Sequence, residues 1–269
     1  MAKAGSHGSV GPLLREWRGR RRLTQLELAL DAGVSTRHLS FVETGRAKPG
    51  REMLLAVAEQ LQIPFREQNQ ILLAAGHAPA FPERSLTDPE LAPVREALDR
   101  ILVAHDPYPA VVFDRAWNLV AANAPMADLA ASVDIDPALL EPPINILRTG
   151  LHPGGLAPLI INLAEWRAHF LGRLERQIAI GGDDDLRSLR DEVAGYPVPE
   201  LESGAAAEVD SGEFLGPVRF RAPTGGEWSF FGMFAGFDTP FEVTTSELAI
   251  ELLFPADRAT AKALGKGAP

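Results

Sequence analysis

The sequence predicts an α+β chain in two parts: a five-helix N-terminal domain, then a larger domain of two short strands, a helical middle and three more strands. Three observations predict it. Apolar residues between 12 and 76 recur at helical spacing. Beyond residue 90, two short β-rich runs precede a helical middle, and three more β-rich runs follow it. Charge also divides along the chain. Residues 1–66 carry 11 Lys and Arg against 6 Asp and Glu, a net +5, while the remainder carries 15 against 30, a net −15. A basic head on an acidic body points to nucleic acid as the partner of the head, because phosphates would repel the rest.

At 269 residues the chain can hold one large or two modest domains, at roughly 100–200 residues each. It has no cysteine, which excludes disulfides and thiolate metal sites and suits a reducing compartment, so a cytoplasmic location is expected. No apolar run approaches the ~18 residues of a membrane span. The opening residues MAKAGSHGSV lack the apolar core of a secretory signal.

Taken in order, Pro12–Arg22 reads as a helix ending in the basic cluster Arg18, Arg20, Arg21 and Arg22. Thr24 can cap the next helix, with Glu27 completing a capping box and Leu26, Ala29 and Leu30 as the inner stripe. Gly33 ends it, because the tight turn wants a left-handed backbone. Ser35 caps Thr36–Glu43, with Leu39 and Val42 inward and Gly45 as the stop. Leu54, Val57, Ala58 and Leu61 make a fourth helix, and Phe65–Ala75, stopped by Gly76, a fifth. The head therefore spans 1–76, and the proline-rich stretch 77–90 reads as a semi-rigid linker.

The body spans 91–257 and leaves a tail at 258–269. It opens on a helical stripe of Leu91, Val94, Leu98, Ile101 and Leu102. Ala110–Asp114 and Trp117–Ala121 read as strands about a turn at Arg115-Ala116, and Asn123 starts a helix over 124–130. A long helix is expected from Leu156 to Ile178 and a shorter one near Leu186–Val193, with Asp183–Asp185 capping its positive end or, on the other reading, holding a metal. Residues 196–213 look loop-like. Val218 and Phe220 alternate with Arg219 and Arg221, so that strand has one wet face. Pro223-Thr-Gly-Gly226 reads as a hairpin turn, Glu227–Ala235 as a strand apolar on both faces, and Leu248, Ile250, Leu252 and Phe254 as one face of the last strand.

Two resemblances sharpen this outline. The run T-Q-x-E-L-A-x-x-A-G-V-S over 24–35, followed by x-x-x-L-x-x-x-E-x-G to Gly45, resembles the Cro/repressor (XRE) family of helix-turn-helix regulators, over roughly residues 10–76. The likeness implies that Gln25 binds a phosphate and that Thr36, Arg37 and Phe41 face base edges. Arginine can make a bidentate contact to guanine, and Phe41 or Thr36 can pack a thymine methyl. Arg46 and Lys48, past that helix, are placed for phosphates. His38 and Ser40 touch either phosphate or only solvent. Arg18 and Glu43 match a partly buried ion pair of the family, the alternative being plain surface charge.

In the body, the strand–turn–strand–helix opening resembles a PAS domain. The stretches 107–123, 145–154 (N-I-L-R-T-G-L-H-P-G) and 162–166 (N-L-A-E-W) resemble the MmyB-like ligand-binding domain found behind XRE heads. That likeness implies a PAS-like, five-stranded antiparallel sheet with helices, and a fatty-acid-like ligand held between them. Trp166, Phe170, Phe230 and Phe234 are the candidate apolar contacts, although each could simply fill a core. Arg148 and His152 are the candidates for a ligand carboxylate; otherwise Arg148 makes an ion pair between helices. Phosphate-loop, zinc-protease and nucleophile-elbow signatures are absent, and His105, His152 and His169 lack metal-ligand spacing, so no catalysis and no further cofactor are expected.

The expected partners are double-stranded DNA, a small hydrophobic ligand and a second copy of the chain; no membrane partner is expected. One reading helix covers few base pairs, and such regulators pair their heads. The body, with its lead-in helix Leu91–Leu102, is the expected dimer surface. A body that serves only as a dimerisation or partner-binding scaffold is the alternative to a sensor.

Overall fold

The structure is a computed structural model and describes residues 10–198, 216–222, 225–237, 240 and 242–265. The expected loop over 196–213 and the turn residues Pro223 and Thr224 lie largely outside the described residues. The chain divides into two compact units. One comprises residues 1–84 with 179–182 and 240–246; the other comprises 85–178, 183–239 and 247–269.

The first unit opens with five helices: α1 (Val10–Arg20), α2 (Gln25–Asp31), α3 (Thr36–Glu43), α4 (Arg51–Gln60) and α5 (Phe65–Ala74). Their common core is aliphatic, with Leu14, Leu28, Leu39, Val42, Leu54, Val57, Leu61 and Ile71 fully enclosed around Trp17. The expected capping box forms: the Thr24 side chain accepts from the Glu27 N–H, and the Glu27 carboxylate accepts from the Thr24 N–H. Gly33, Gly45 and Gly76 all take positive φ, at +66°, +73° and +80°. Gly11 matters differently. A Cβ there would lie 2.6 Å from the carbonyl oxygens of Val42 and Glu43, so a residue without a side chain is needed for α1 to cross the end of α3.

The inner stripe of α2 is not the one periodicity suggested. Leu28 and Ala29 are buried, while Leu26 and Leu30 stand 56% and 72% exposed. The helix has only seven residues, too few turns to average out a one-residue error in phase. The proline-rich linker is also more ordered than its composition suggested. The Asn69 side chain accepts from the N–H groups of Ala80 and Phe81 and donates to the Phe81 carbonyl, and the Phe81 ring stacks on Phe65 at 3.9 Å.

The second unit is built on one five-stranded antiparallel sheet of β1 (Ala110–Phe113), β2 (Leu119–Ala122), β3 (Val218–Arg221), β4 (Glu227–Ala235) and β5 (Ala249–Pro255), in the order β2-β1-β5-β4-β3. Between β2 and β3 come α7 (Ala124–Ala131), α8 (Ile146–Leu151), α9 (Leu163–Gly181) and α10 (Asp184–Ala194). One face of the sheet carries Val111, Phe113, Val218, Phe220, Phe230 and Leu253 and packs with Leu129, Leu147, Trp166 and Leu174 of these helices. On the other face Ala110, Val112 and Ile250 pack with Leu98 and Leu102 of α6 (Ala92–Ala104).

Three expectations shift here. Trp117 does not begin the second strand. It sits in the turn at φ +66°, held by the Asp114 carboxylate, which accepts from the N–H groups of Ala116 and Asn118. The long helix starts at Leu163, since Ala157–Leu159 forms a separate 3-10 turn and Ile160 bridges to Phe220. Residues 258–263, placed in the tail, form α11 (Arg258–Ala263), whose Thr260 is buried and accepts from the Ser229 N–H.

Candidate functional site

In the first unit, α2 and α3 are braced by one buried carboxylate. Glu43 ends α3 with its side chain closed to solvent. Arg18 of α1 donates to it from Nε at 2.7 Å and from Nη2 at 2.9 Å, and spends Nη1 on the Leu23 carbonyl. Gln25 of α2 donates from Nε2 at 2.7 Å. Burial alone would raise the Glu43 pKa, but the hydrogen bonds from Arg18 and Gln25 outweigh it and hold the carboxyl below its ordinary value. Of the two readings of Arg18 and Glu43, the buried pair is correct. Gln25, expected on a phosphate, has its amide N–H engaged by Glu43.

With Leu39, Val42 and Glu43 turned inward, α3 presents the opposite side. Thr36, His38, Ser40 and Phe41 are half-buried and Arg37 is exposed, its guanidinium 5.3 Å from the Phe41 ring centre. The His38 N–H is occupied by the Ser35 cap. Arg46 and Lys48 are exposed in the loop after α3, whose course is fixed by the N–H groups of Arg46 and Ala47 both donating to the Phe41 carbonyl.

The second unit holds a partly open apolar cavity of about 270 Å³ between the inner sheet face and α7, α8 and α9. Small residues (Ala127 and Ala130 of α7, Gly150 of α8) line the side of those helices, while Trp166 and Phe170 of α9, with Phe220 of β3, supply large walls. Of the six expected ligand contacts, Trp166 and Phe170 line it. Phe230 and Phe234 do not: Phe230 is fully buried in the adjoining core and Phe234 meets Phe113 edge-on at 6.1 Å.

Arg148 and His152 do not line it either. Arg148 grips Glu192 of α10 through three hydrogen bonds of 2.8–3.0 Å, the interhelix pair that was its alternative reading. His152 follows α8, its Nδ1 accepting from the Gly154 N–H and its ring edge-on to Tyr196. Asp183 caps α10 and pairs with Arg115, and among the described residues no cluster of acidic or histidine side chains could hold a metal.

Sequence reasoning missed Glu251. Reading β5 by its apolar positions Leu248, Ile250, Leu252 and Phe254 finds the face toward α6. The other face carries Ala249, Glu251 and Leu253, and it is Glu251 and Leu253 that meet the cavity.

A helix-turn-helix unit, in one chain with an α+β unit around an apolar cavity, defines a class: DNA-binding transcription regulators that carry a ligand-binding domain. This chain belongs to the MmyB-like transcription regulator family. Residues 94–266 match the MmyB-like transcription regulator ligand binding domain and residues 14–68 match a helix-turn-helix family. The chain is also 30% identical, over 127 residues, to the uncharacterized HTH-type transcriptional regulator RghRB of Bacillus subtilis (strain 168), covering 47% of this chain and 83% of that protein. Its role is thus that of a regulator rather than an enzyme.

Proposed function

We propose that the second unit takes up a small, apolar, fatty-acid-sized molecule and that its uptake alters how the chain engages DNA. The cavity carries this reading. It lies close to the lower end of small-molecule pockets, roughly 300–1,000 Å³, and its walls are almost wholly apolar. Trp166 and Phe170 are its aromatic contacts. Arg37, Thr36 and Phe41 read base edges, while Gln25, His38, Ser40, Arg46 and Lys48 contact phosphates, Gln25 doing so through the part of its amide that Glu43 leaves unused. The ligand shifts regulation only as far as it prefers one DNA-binding geometry over another. The site of action is the cytoplasm; among the described residues no helix is long and apolar enough to cross a membrane.

Native mass spectrometry of the full chain tests the sensor reading. A retained lipid-sized mass supports it. No retained mass, together with no binding of a neutral apolar dye, overturns it. The scaffold reading is favoured by a different observation: on the outer face of β4, Phe231 and Met233 stand exposed. Pairing of two chains through the second unit is compatible with either reading, because two heads are needed to cover successive major grooves.

A further inference from the structure

Glu251 is at the wrong place for a surface acid. It lies in β5, the central strand of the sheet, opposite Val111 of β1 and Phe234 of β4. Its side chain is on the inner face, lines the cavity, and the residue is only 9% exposed. Among the described residues no hydrogen bond reaches its carboxyl. Apart from Glu251, Thr149 is the one lining residue with a polar side chain other than the indole of Trp166. A Cβ on Gly232 would lie 3.4 Å from Glu251 Oε1 and 3.8 Å from the Trp166 ring, so carboxyl and indole converge on one spot where β4 withholds a side chain. The Trp166 indole N–H is itself buried without a partner.

A buried polar group without a partner is costly, and a ligand that supplies the missing partner recovers that cost. We propose that Glu251 selects the head group of the cavity's ligand: an apolar molecule bearing an uncharged hydroxyl, which donates to Glu251, in preference to an ionised carboxylate. This rests on the reading of the cavity as an apolar ligand site. The physical reason is charge. An acid head at close range to a carboxyl in a poorly solvated wall forces two like charges together or forces one of them to stay protonated. Burial, only partly opposed by the Arg173 cation of α9, already pushes the Glu251 carboxyl up to about 7, so little margin remains for a second anion. Arg173 is no ready anchor for that anion: its guanidinium carbon lies over the Phe234 ring, 3.4 Å from the ring centre, and it is not among the residues lining the cavity.

The test is displacement of N-phenyl-1-naphthylamine, a neutral apolar dye, from the full chain at pH 8 by submicellar 1-decanol and by decanoate. The expected result is that decanol competes about tenfold or more better than decanoate, and that Glu251→Gln, which keeps the shape and an acceptor but removes the charge, narrows the gap to about threefold or less by improving decanoate. Glu251→Leu should weaken decanol more than it weakens the dye. Equal competition by the two molecules in the unaltered chain, or a gap that survives Glu251→Gln, overturns the role of Glu251 while leaving the cavity as the ligand site. Failure of the dye and both competitors to bind overturns the cavity reading, and this inference with it.

Discussion

Arg18 and Glu43 lock α1 to the end of α3 through two hydrogen bonds, of 2.7 and 2.9 Å, around a carboxylate that water does not reach. Removing one partner of such a pair strands the other, and that loss is larger than the net worth of the intact pair. Glu43→Ala should therefore cost about 3 kcal/mol of the stability of the first unit. A Glu43→Leu, Arg18→Met double variant should recover a good part of it. Hydrogen exchange of α1–α3 amides in the full chain reads this directly; a double variant no more protected than Glu43→Ala alone would refute it.

The reading face of α3 and the loop beyond it should separate by the kind of loss. Arg37→Ala should cost about 1–3 kcal/mol at a single operator position and relax preference there. Arg46→Ala and Lys48→Ala should weaken all sequences alike and lower the slope of affinity against salt by about 1 each. A base-substitution series read by gel shift at several salt concentrations distinguishes them. Identical behaviour of all three variants would displace α3 as the reading helix.

Filling the cavity should silence it without unfolding its walls. Ala130 lines the cavity from α7, and Ala130→Phe puts a ring into it. Overpacking costs typically about 1–3 kcal/mol, which circular dichroism during thermal unfolding can follow. Binding of an apolar dye should vanish while DNA binding by the ligand-free chain persists. Dye affinity unchanged in Ala130→Phe would place the dye elsewhere.

Stability should depend on pH through Glu251. Unfolded, the carboxyl titrates near 4.5; folded, it is pushed up to about 7. Between these values the folded chain holds a proton that the unfolded chain has released, so the stability contributed by this residue is full below pH 4.5, falls as pH rises to 7 and is flat beyond. The fall amounts to roughly 3 kcal/mol. The charged group facing Glu251 is Arg173 of α9; its strand neighbours Val111, Gly232 and Phe234 do not titrate. Glu251→Gln should remove this slope, measured as the difference from the unaltered chain in urea unfolding from pH 4.5 to 8. Parallel pH profiles of the two proteins would exclude the assignment.

Analytical ultracentrifugation tests pairing. The full chain should sediment as a dimer at micromolar concentration. Phe231→Glu with Met233→Lys should produce monomers if the outer face of β4 is the contact, because charges there would have to be desolvated on association. A monomeric unaltered chain sinks the pairing, and a dimeric double variant moves it to another surface.

What the sequence determined by itself was local. Thr24 with Glu27, Ser35, Asn123 and Asp183 cap the helices they were expected to cap, because a cap needs only the backbone of its own next turn. The succession of strands and helices along the body was legible as two β-rich runs, a helical middle and three more; the order β2-β1-β5-β4-β3 across the sheet was not. Tertiary structure alone decided the rest. That Leu28 rather than Leu26 faces inward on α2 depends on where α1, α3, α4 and α5 lie, not on seven residues of pattern. That Arg148 reaches Glu192 and Trp166 reaches the cavity depends on how α8, α9 and α10 cross. Glu251 was hidden for the same reason: an acid amid apolar neighbours reads as the wet side of a strand until helices are seen to cover that side, and only their placement turns it into the wall of a ligand site.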